Sequence, residues 1–173
     1  MRIGYVSLQE RGATDACLVD TIAMLTARGL PMAGIVQTNT DCTDPQRCDM
    51  DVRVLPDGPV LRISQDLGAG ARGCRLDGGV LEQAVAEVVQ RLDGAAFLVV
   101  NKFGKQEALG RGFVPVIAEA AGRGLPVLLG VNGLNLPAFE EFAGGMAQPL
   151  PADPAAIAAW ALESIPEGVL ADG

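Results

Sequence analysis

Arg2-Ile3-Gly4-Tyr5-Val6-Ser7-Leu8-Gln9-Glu10-Arg11-Gly12-Ala13-Thr14-Asp15-Ala16 decides the fold. Arg2–Leu8 is a short β-rich apolar run, Gln9–Thr14 is a loop, and Asp15–Arg28 places Leu18, Ile22 and Leu25 at helical spacing before Gly29. A strand that turns through a glycine-bearing loop into a helix is where a phosphate-binding P-loop belongs. A working loop ends in Gly-Lys-Ser/Thr, with the lysine on phosphate and the hydroxyl on Mg²⁺. On that frame the lysine position holds Asp15 and the hydroxyl position Ala16. An aspartate facing a triphosphate repels it. The plain expectation is that Thr14 or Asp15 caps the helix, leaving a helix N-terminus with Arg11 and Gly12 able to attract a smaller anion.

Outward from this unit, the elements alternate. Met32–Gln37 reads as a second strand, and Asp51–Leu55 with Val60–Ser64 as a hairpin about Pro56-Asp57-Gly58-Pro59. Gly79–Leu92 is an amphipathic helix with Asp77 as its N-cap, and Ala95–Val100 an uninterrupted apolar run of the kind found in central parallel strands. Asn101–Gly112 reads as loop, Phe113–Gly122 as helix, Pro126–Val131 as strand, and Pro137–Phe142 and Asp153–Ser164 as closing helices. The expected fold class is α/β: a mostly parallel sheet with helices on both faces, three layers, P-loop-NTPase-like with a hairpin insertion. One domain over 1–165 and a frayed tail over 166–173 are expected. Ligands of such sheets bind at the carboxyl ends of the strands, which should gather the loops Gln9–Asp15, Gln65–Asp77, Asn101–Gly112 and Asn132–Leu136.

Composition narrows the function. Apolar residues make up 49% of the 173 and aromatics only 4%, so the core is aliphatic. A net charge of −8 argues against nucleic acid or a membrane surface as partner. No apolar run is long enough to span a bilayer and no signal peptide precedes the first strand, so a cytoplasmic location is expected. Histidine is absent, which removes Ser-His-Asp and Cys-His catalysis.

Against this acidic background two loops are basic. Gly68–Asp77 contains a G-x-G-x-x-G that lies too far from its helix for a dinucleotide fingerprint. Its backbone N–H groups with Arg72, Gly73 and Arg75 form either an anion nest or an ordinary surface loop. Asn101–Gly112 holds the chain's only two lysines, Lys102 and Lys105, with Gly104 and Arg111. Three cations at a strand's carboxyl end favour an anion site. In an ATPase this strand would end in acids that hold Mg²⁺, and here Asn101 and Lys102 stand in those places. A cation has become an acid in the first loop and an acid a cation in this one, so an Asp15–Lys102 or Asp15–Lys105 ion pair across the old phosphate pocket is expected. Glu107 is the only candidate base should the chain hydrolyse anything. Cys42, Cys48 and Cys74 could hold a soft metal but lack zinc-knuckle spacing, and they read better as loop or core thiols, with Cys17 in the core.

Cys48-Asp49-Met50-Asp51, Arg62–Gly68 with Arg72–Asp77, and Asn101–Glu107 with Gly110-Arg111-Gly112 resemble, over nearly the whole chain, a bacterial family of unknown function whose genes often neighbour molybdate-transport genes. More distantly the layout is similar to small P-loop nucleoside-triphosphatases whose Walker B segment reads Asp-Glu-Ile-Gly-Lys-Met-Glu. Phe103-Gly104-Lys105-Gln106-Glu107 keeps its Gly-Lys-x-Glu part. The first resemblance implies an oxyanion-binding accessory protein linked to molybdate uptake or use, with molybdate as ligand. The second implies a nucleotide as ligand and a nucleoside-triphosphatase activity. A non-catalytic partner of molybdenum transport or cofactor-assembly proteins is a third reading, and a homodimer is open.

Overall fold

The computed structural model describes residues 2–39, 49–65, 67–68 and 75–166. Its strands are β1 (Ile3–Val6), β2 (Met32–Asn39), β3 (Met50–Leu55), β4 (Val60–Arg62), β5 (Phe97–Phe103), β6 (Val127–Val131) and β7 (Ala147–Pro149). The helices are α1 (Ala13–Ala27), α2 (Gly78–Arg91), α3 (Lys105–Ala108), α4 (Val114–Gly122), α5 (Leu136–Ala143) and α6 (Pro154–Ser164). The strands form one sheet in the order β4-β3-β2-β5-β6-β1-β7. Pairings β2–β5, β5–β6, β6–β1 and β1–β7 are parallel, and the hairpin β3–β4 adds to β2 antiparallel. The sheet is therefore mostly parallel, with the expected hairpin at one edge.

Parallel strands covered on both faces must be apolar on both, and β2, β5 and β6 are. One core layer joins Leu18, Ile22 and Leu25 of α1 to Val36, Val99 and Leu128 beneath, with Trp160 of α6 alongside. The opposite layer joins Leu81 and Val88 of α2, Phe113 and Ile117 near α4, and Phe139 of α5 to Ile35, Leu98, Val100 and Leu129. Cys17 is buried in the α1 layer, as expected, and burial, with Asp20 and Asp153 adding repulsion, raises its thiol above the ordinary range.

Several boundaries differ from the expectation: β2 runs two residues past Gln37, to Asn39, and β4 stops at Arg62 and not at Ser64. β5 runs on to Phe103, because Phe103 buries its ring against Phe139 and Phe142 and draws Asn101 and Lys102 into the strand. Lys105–Ala108, expected as loop, is the short helix α3. β7 was not expected. Its three residues pair with β1 outside the hydrophobic periodicity that marks longer strands. Asp77 does cap α2, accepting from the Gly79 and Val80 N–H groups at 2.9 and 3.2 Å.

Gly34 is the tightest point of the sheet. Its φ is +129°, and a Cβ there would run into the Val99 carbonyl of the neighbouring β5. Gly34→Ala should therefore cost about 3 kcal/mol in backbone strain and displaced pairing. At about 2–4 °C per kcal/mol for a chain of this size, the thermal midpoint should fall on the order of 10 °C in a calorimetric or circular-dichroism melt. A midpoint within a degree or two of the wild type would contradict this packing.

Candidate functional site

The carboxyl ends of β1, β5 and β6 open into one cavity of about 640 Å³. Its lining includes Arg11, Gly12, Thr14 and Asp15 from the β1–α1 segment, Lys102 from β5, and Asn132 to Leu134 beyond β6. Three of the four expected loops are thus represented at one place. The fourth, Gln65–Asp77, leaves from β4 at the sheet edge.

The helix start differs from the expectation that Thr14 or Asp15 is its cap. Gly12, with φ +76°, is the N-cap and supplies no side-chain acceptor. Thr14 lies inside the first turn, where its hydroxyl oxygen accepts from the Leu8 N–H at 2.9 Å and ties the loop to the helix. That leaves the first-turn N–H groups without a side-chain cap at the cavity, where the helix dipole adds partial positive charge. Gly130 lets this turn settle onto the sheet: a Cβ there would meet the side chains of Asn101, Leu18 and Thr14.

Asp15 is 6% exposed, and its Oδ2 lies 3.7 Å from Lys102 Nζ. The expected ion pair therefore forms, with Lys102 as the partner. Lys105 falls on the exposed surface of α3 and does not line the cavity, because the strand continues three residues past the apolar run before α3 begins. Asp15 Oδ2 also accepts from Asn39 Nδ2 at 2.7 Å, and Asn39 Oδ1 from Gln37 Nε2 at 2.8 Å. Gln37 and Asn39 are site residues that sequence reading missed. Their signal was two amides, two residues apart, at the carboxyl end of an otherwise apolar strand. Asp15 Oδ1 and both amide atoms of the fully buried Asn101 have no hydrogen-bond partner among the described residues. The Asn101–Lys102 peptide bond is cis.

The remaining candidates stand elsewhere. Arg75 donates to the Gln65 carbonyl and lies 3.7 Å from Asp49, at the β3–β4 edge of the sheet. Five strand spacings separate β4 from β1, roughly 24 Å at about 4.8 Å each. Arg111 is exposed and, like Gly104, does not line the cavity. Arg72, Gly73, Cys42, Cys48 and Cys74 lie outside the described residues. Among the described residues no group of three or more acids and thiols is placed to hold a metal ion, and no helix is long and apolar enough to cross a membrane.

Glu107, the candidate base, is 5% exposed and spends both oxygens on backbone: Oε2 accepts from Gly104 N–H at 2.9 Å and Oε1 from Phe113 N–H at 3.0 Å. Gly112, at φ +59°, makes room for it, since a Cβ there would collide with Oε1. Burial raises the carboxyl above its ordinary range, opposed by these backbone hydrogen bonds. Its place is to join α3 to the start of α4, away from the cavity.

A family model described as a protein of unknown function (DUF2478) matches residues 3–160. Molybdenum import ATP-binding protein ModC 2 of Bradyrhizobium diazoefficiens is 32% identical over 160 residues. Those residues are 92% of this chain but 18% of that protein, so the chain spans about a fifth of its length. Two solved structures share the fold, each with a TM-score of 0.61. The solution structure of a human cancer-related nucleoside triphosphatase is 18% identical and is matched over 87% of this chain and 88% of its own. The crystal structure of THEP1 from Aquifex aeolicus is 13% identical, over 90% and 91%. The fold is thus the α/β fold of these P-loop proteins.

Glu107→Gln puts an amide N–H against one of two backbone N–H donors, and should destabilise the fold by about 1–3 kcal/mol. The glutamate's raised value means that its linkage contribution is present below the ordinary glutamate range and is lost as pH rises through that value. The stability gap between wild type and Glu107→Gln, measured by urea unfolding across pH, should therefore narrow as pH rises. A gap that widens would reverse the sign of the burial effect.

Proposed function

From a chain that belongs to the DUF2478 family, we infer an accessory module of molybdenum import that binds a small oxyanion, molybdate foremost, in the cavity at the α1 N-terminus. The observation that carries this reading is the first turn of α1, which has no side-chain cap, opening into a 640 Å³ cavity with Lys102 on its wall. Backbone N–H groups and a helix dipole suit a compact anion, and an ammonium group adds the charge. The molybdenum link is supported by the 160-residue similarity to a stretch of a molybdenum import ATP-binding protein. A module of this type carried within an importer would be held near the transported anion at high effective concentration. Action on the cytoplasmic side of that import follows from the same reading.

The same wall argues against a polyphosphate. Arg11 and Lys102 are opposed by Glu10 and Asp15, two charges of each sign, and Asp15 stands where a P-loop presents its lysine. With Glu107 committed to backbone, the cavity holds no carboxylate base but Asp15 and the exposed Glu10. A second reading, nucleotide binding without turnover, is favoured by one observation: the cavity lies at the β1–α1 loop of a fold shared with a nucleoside triphosphatase.

Calorimetric titration separates the two. Molybdate and tungstate should give saturable heats, and Lys102→Met should weaken both on the order of tenfold or more, as loss of a charge-assisted hydrogen bond does. ATP and GTP with Mg²⁺ should give neither saturable heat nor phosphate release. Flat traces for molybdate, tungstate, sulfate and phosphate alike, beside a saturable nucleotide trace, would replace the oxyanion reading with the nucleotide one.

A further inference from the structure

Asp15 is a poor neighbour for any anion, yet it forms part of this wall. It lies in the first turn of α1, within one turn of the N–H groups that have no side-chain cap. Oδ2 is served by Asn39 and faces Lys102, while Oδ1 is buried without a partner among the described residues. The groups facing the carboxylate are few. From β5 comes Lys102; from β2 come the neutral amides of Asn39 and, behind it, Gln37. The loop before α1 brings the exposed Glu10 and Arg11, and the segment after β6 brings only Asn132, Gly133 and Leu134. Lys102 is thus the cation in ion-pair reach of Asp15 among the described residues.

An oxyanion at the α1 N-terminus draws on that same ammonium group. Two negative centres then share the Lys102 ammonium group in a half-enclosed site whose other lining charges, Arg11 and Glu10, are of opposite sign. A single proton resolves the conflict. Placed between a carboxylate oxygen and an anion oxygen, it removes one negative charge and turns repulsion into an O–H···O hydrogen bond. We propose that the bound state carries one proton between Asp15 and the oxyanion, so that Asp15 makes the capture of an unprotonated oxyanion such as molybdate proton-coupled. Molybdate, tungstate and sulfate arrive without one at neutral pH, so one proton enters from solvent for each ion bound. Hydrogen phosphate carries its own and takes up none. The buffer's conjugate acid gives up the proton that enters with molybdate, and no other covalent bond is made or broken. The proposal rests on the oxyanion reading of the cavity and sets the pH dependence of binding there.

The test is calorimetry of the full chain with sodium molybdate, at one mildly alkaline pH, in buffers of different ionisation enthalpy. The wild type should take up about one proton per molybdate, and its affinity should rise by up to about tenfold for each unit the pH is lowered. Hydrogen phosphate should show no dependence on buffer. Asp15→Asn should bind molybdate with no proton uptake and a flat pH profile, on the order of tenfold tighter than wild type at the alkaline end. Heat seen only with Asp15→Asn would overturn the proposal, since the wild type would then have no bound state in which to share a proton. Wild-type binding of molybdate with no proton uptake would overturn it while leaving the oxyanion reading intact. An absence of heat with wild type and a folded Asp15→Asn alike would overturn the oxyanion reading and this inference with it. Should Asp15→Asn fail to fold, the contrast between molybdate and hydrogen phosphate on the wild type decides alone.

Discussion

The contact between Asp15 and Lys102 joins the two sides of the cavity at the start of α1. It places a buried carboxylate in the first turn of the helix that follows β1, and answers it with an ammonium group from the end of β5. β6 lies between those two strands. The pair therefore spans the mouth of the sheet where P-loop proteins hold phosphate. A P-loop supplies positive charge from the helix and negative charge from the facing strand. Here the acid comes from the helix and the ammonium group from the strand. Asn39 reaches across from β2 to Asp15 Oδ2, and Gln37 steadies Asn39.

The fold serves this arrangement through close approach. Gly34 lets β2 lie against β5, which brings Asn39 within reach of Asp15. Gly130 lets the first turn of α1 descend onto β6, with Asn101 beneath it. Phe103 anchors the end of β5 and fixes how far along the strand Lys102 sits. Glu107 then turns the chain into α4 by capping backbone groups. The resemblance to Gly-Lys-x-Glu in a Walker B segment survives in sequence, but the glutamate has a structural task.

Much of this could be read from residues alone, for definable reasons. The alternation of apolar runs and amphipathic stretches marks the parallel sheet, and Pro56-Asp57-Gly58-Pro59 marks the hairpin, because both signals are local. The pairing of Asp15 with a lysine was legible because an acid stands at the start of the helix after the first strand and the chain's two lysines stand just past its most apolar run. Which lysine was not legible. It depends on β5 continuing to Phe103, and Phe103 belongs to the strand through contacts with Phe139 and Phe142, some forty residues away. The gathering of cations was only partly legible. Lys102 and Arg11 line one cavity, while Lys105 and Arg111 face outward and Arg75 is held by Asp49 and Gln65 at the far edge. Charge clustering along a chain does not say which side of a helix or which edge of a sheet each charge will take. β7 and α3 escaped because three or four residues are too few to carry a period.

The most direct measurement is a crystal structure of the chain soaked in tungstate, located by its anomalous scattering. The account predicts a tungsten peak at the first turn of α1, its oxygens on the backbone N–H groups near Gly12 and on Lys102 Nζ. Lys102 should have turned from Asp15, and one tungstate oxygen should lie within hydrogen-bond distance of the Asp15 carboxyl. A fully soaked crystal with no peak in this cavity, and Lys102 still seated on Asp15, would contradict it.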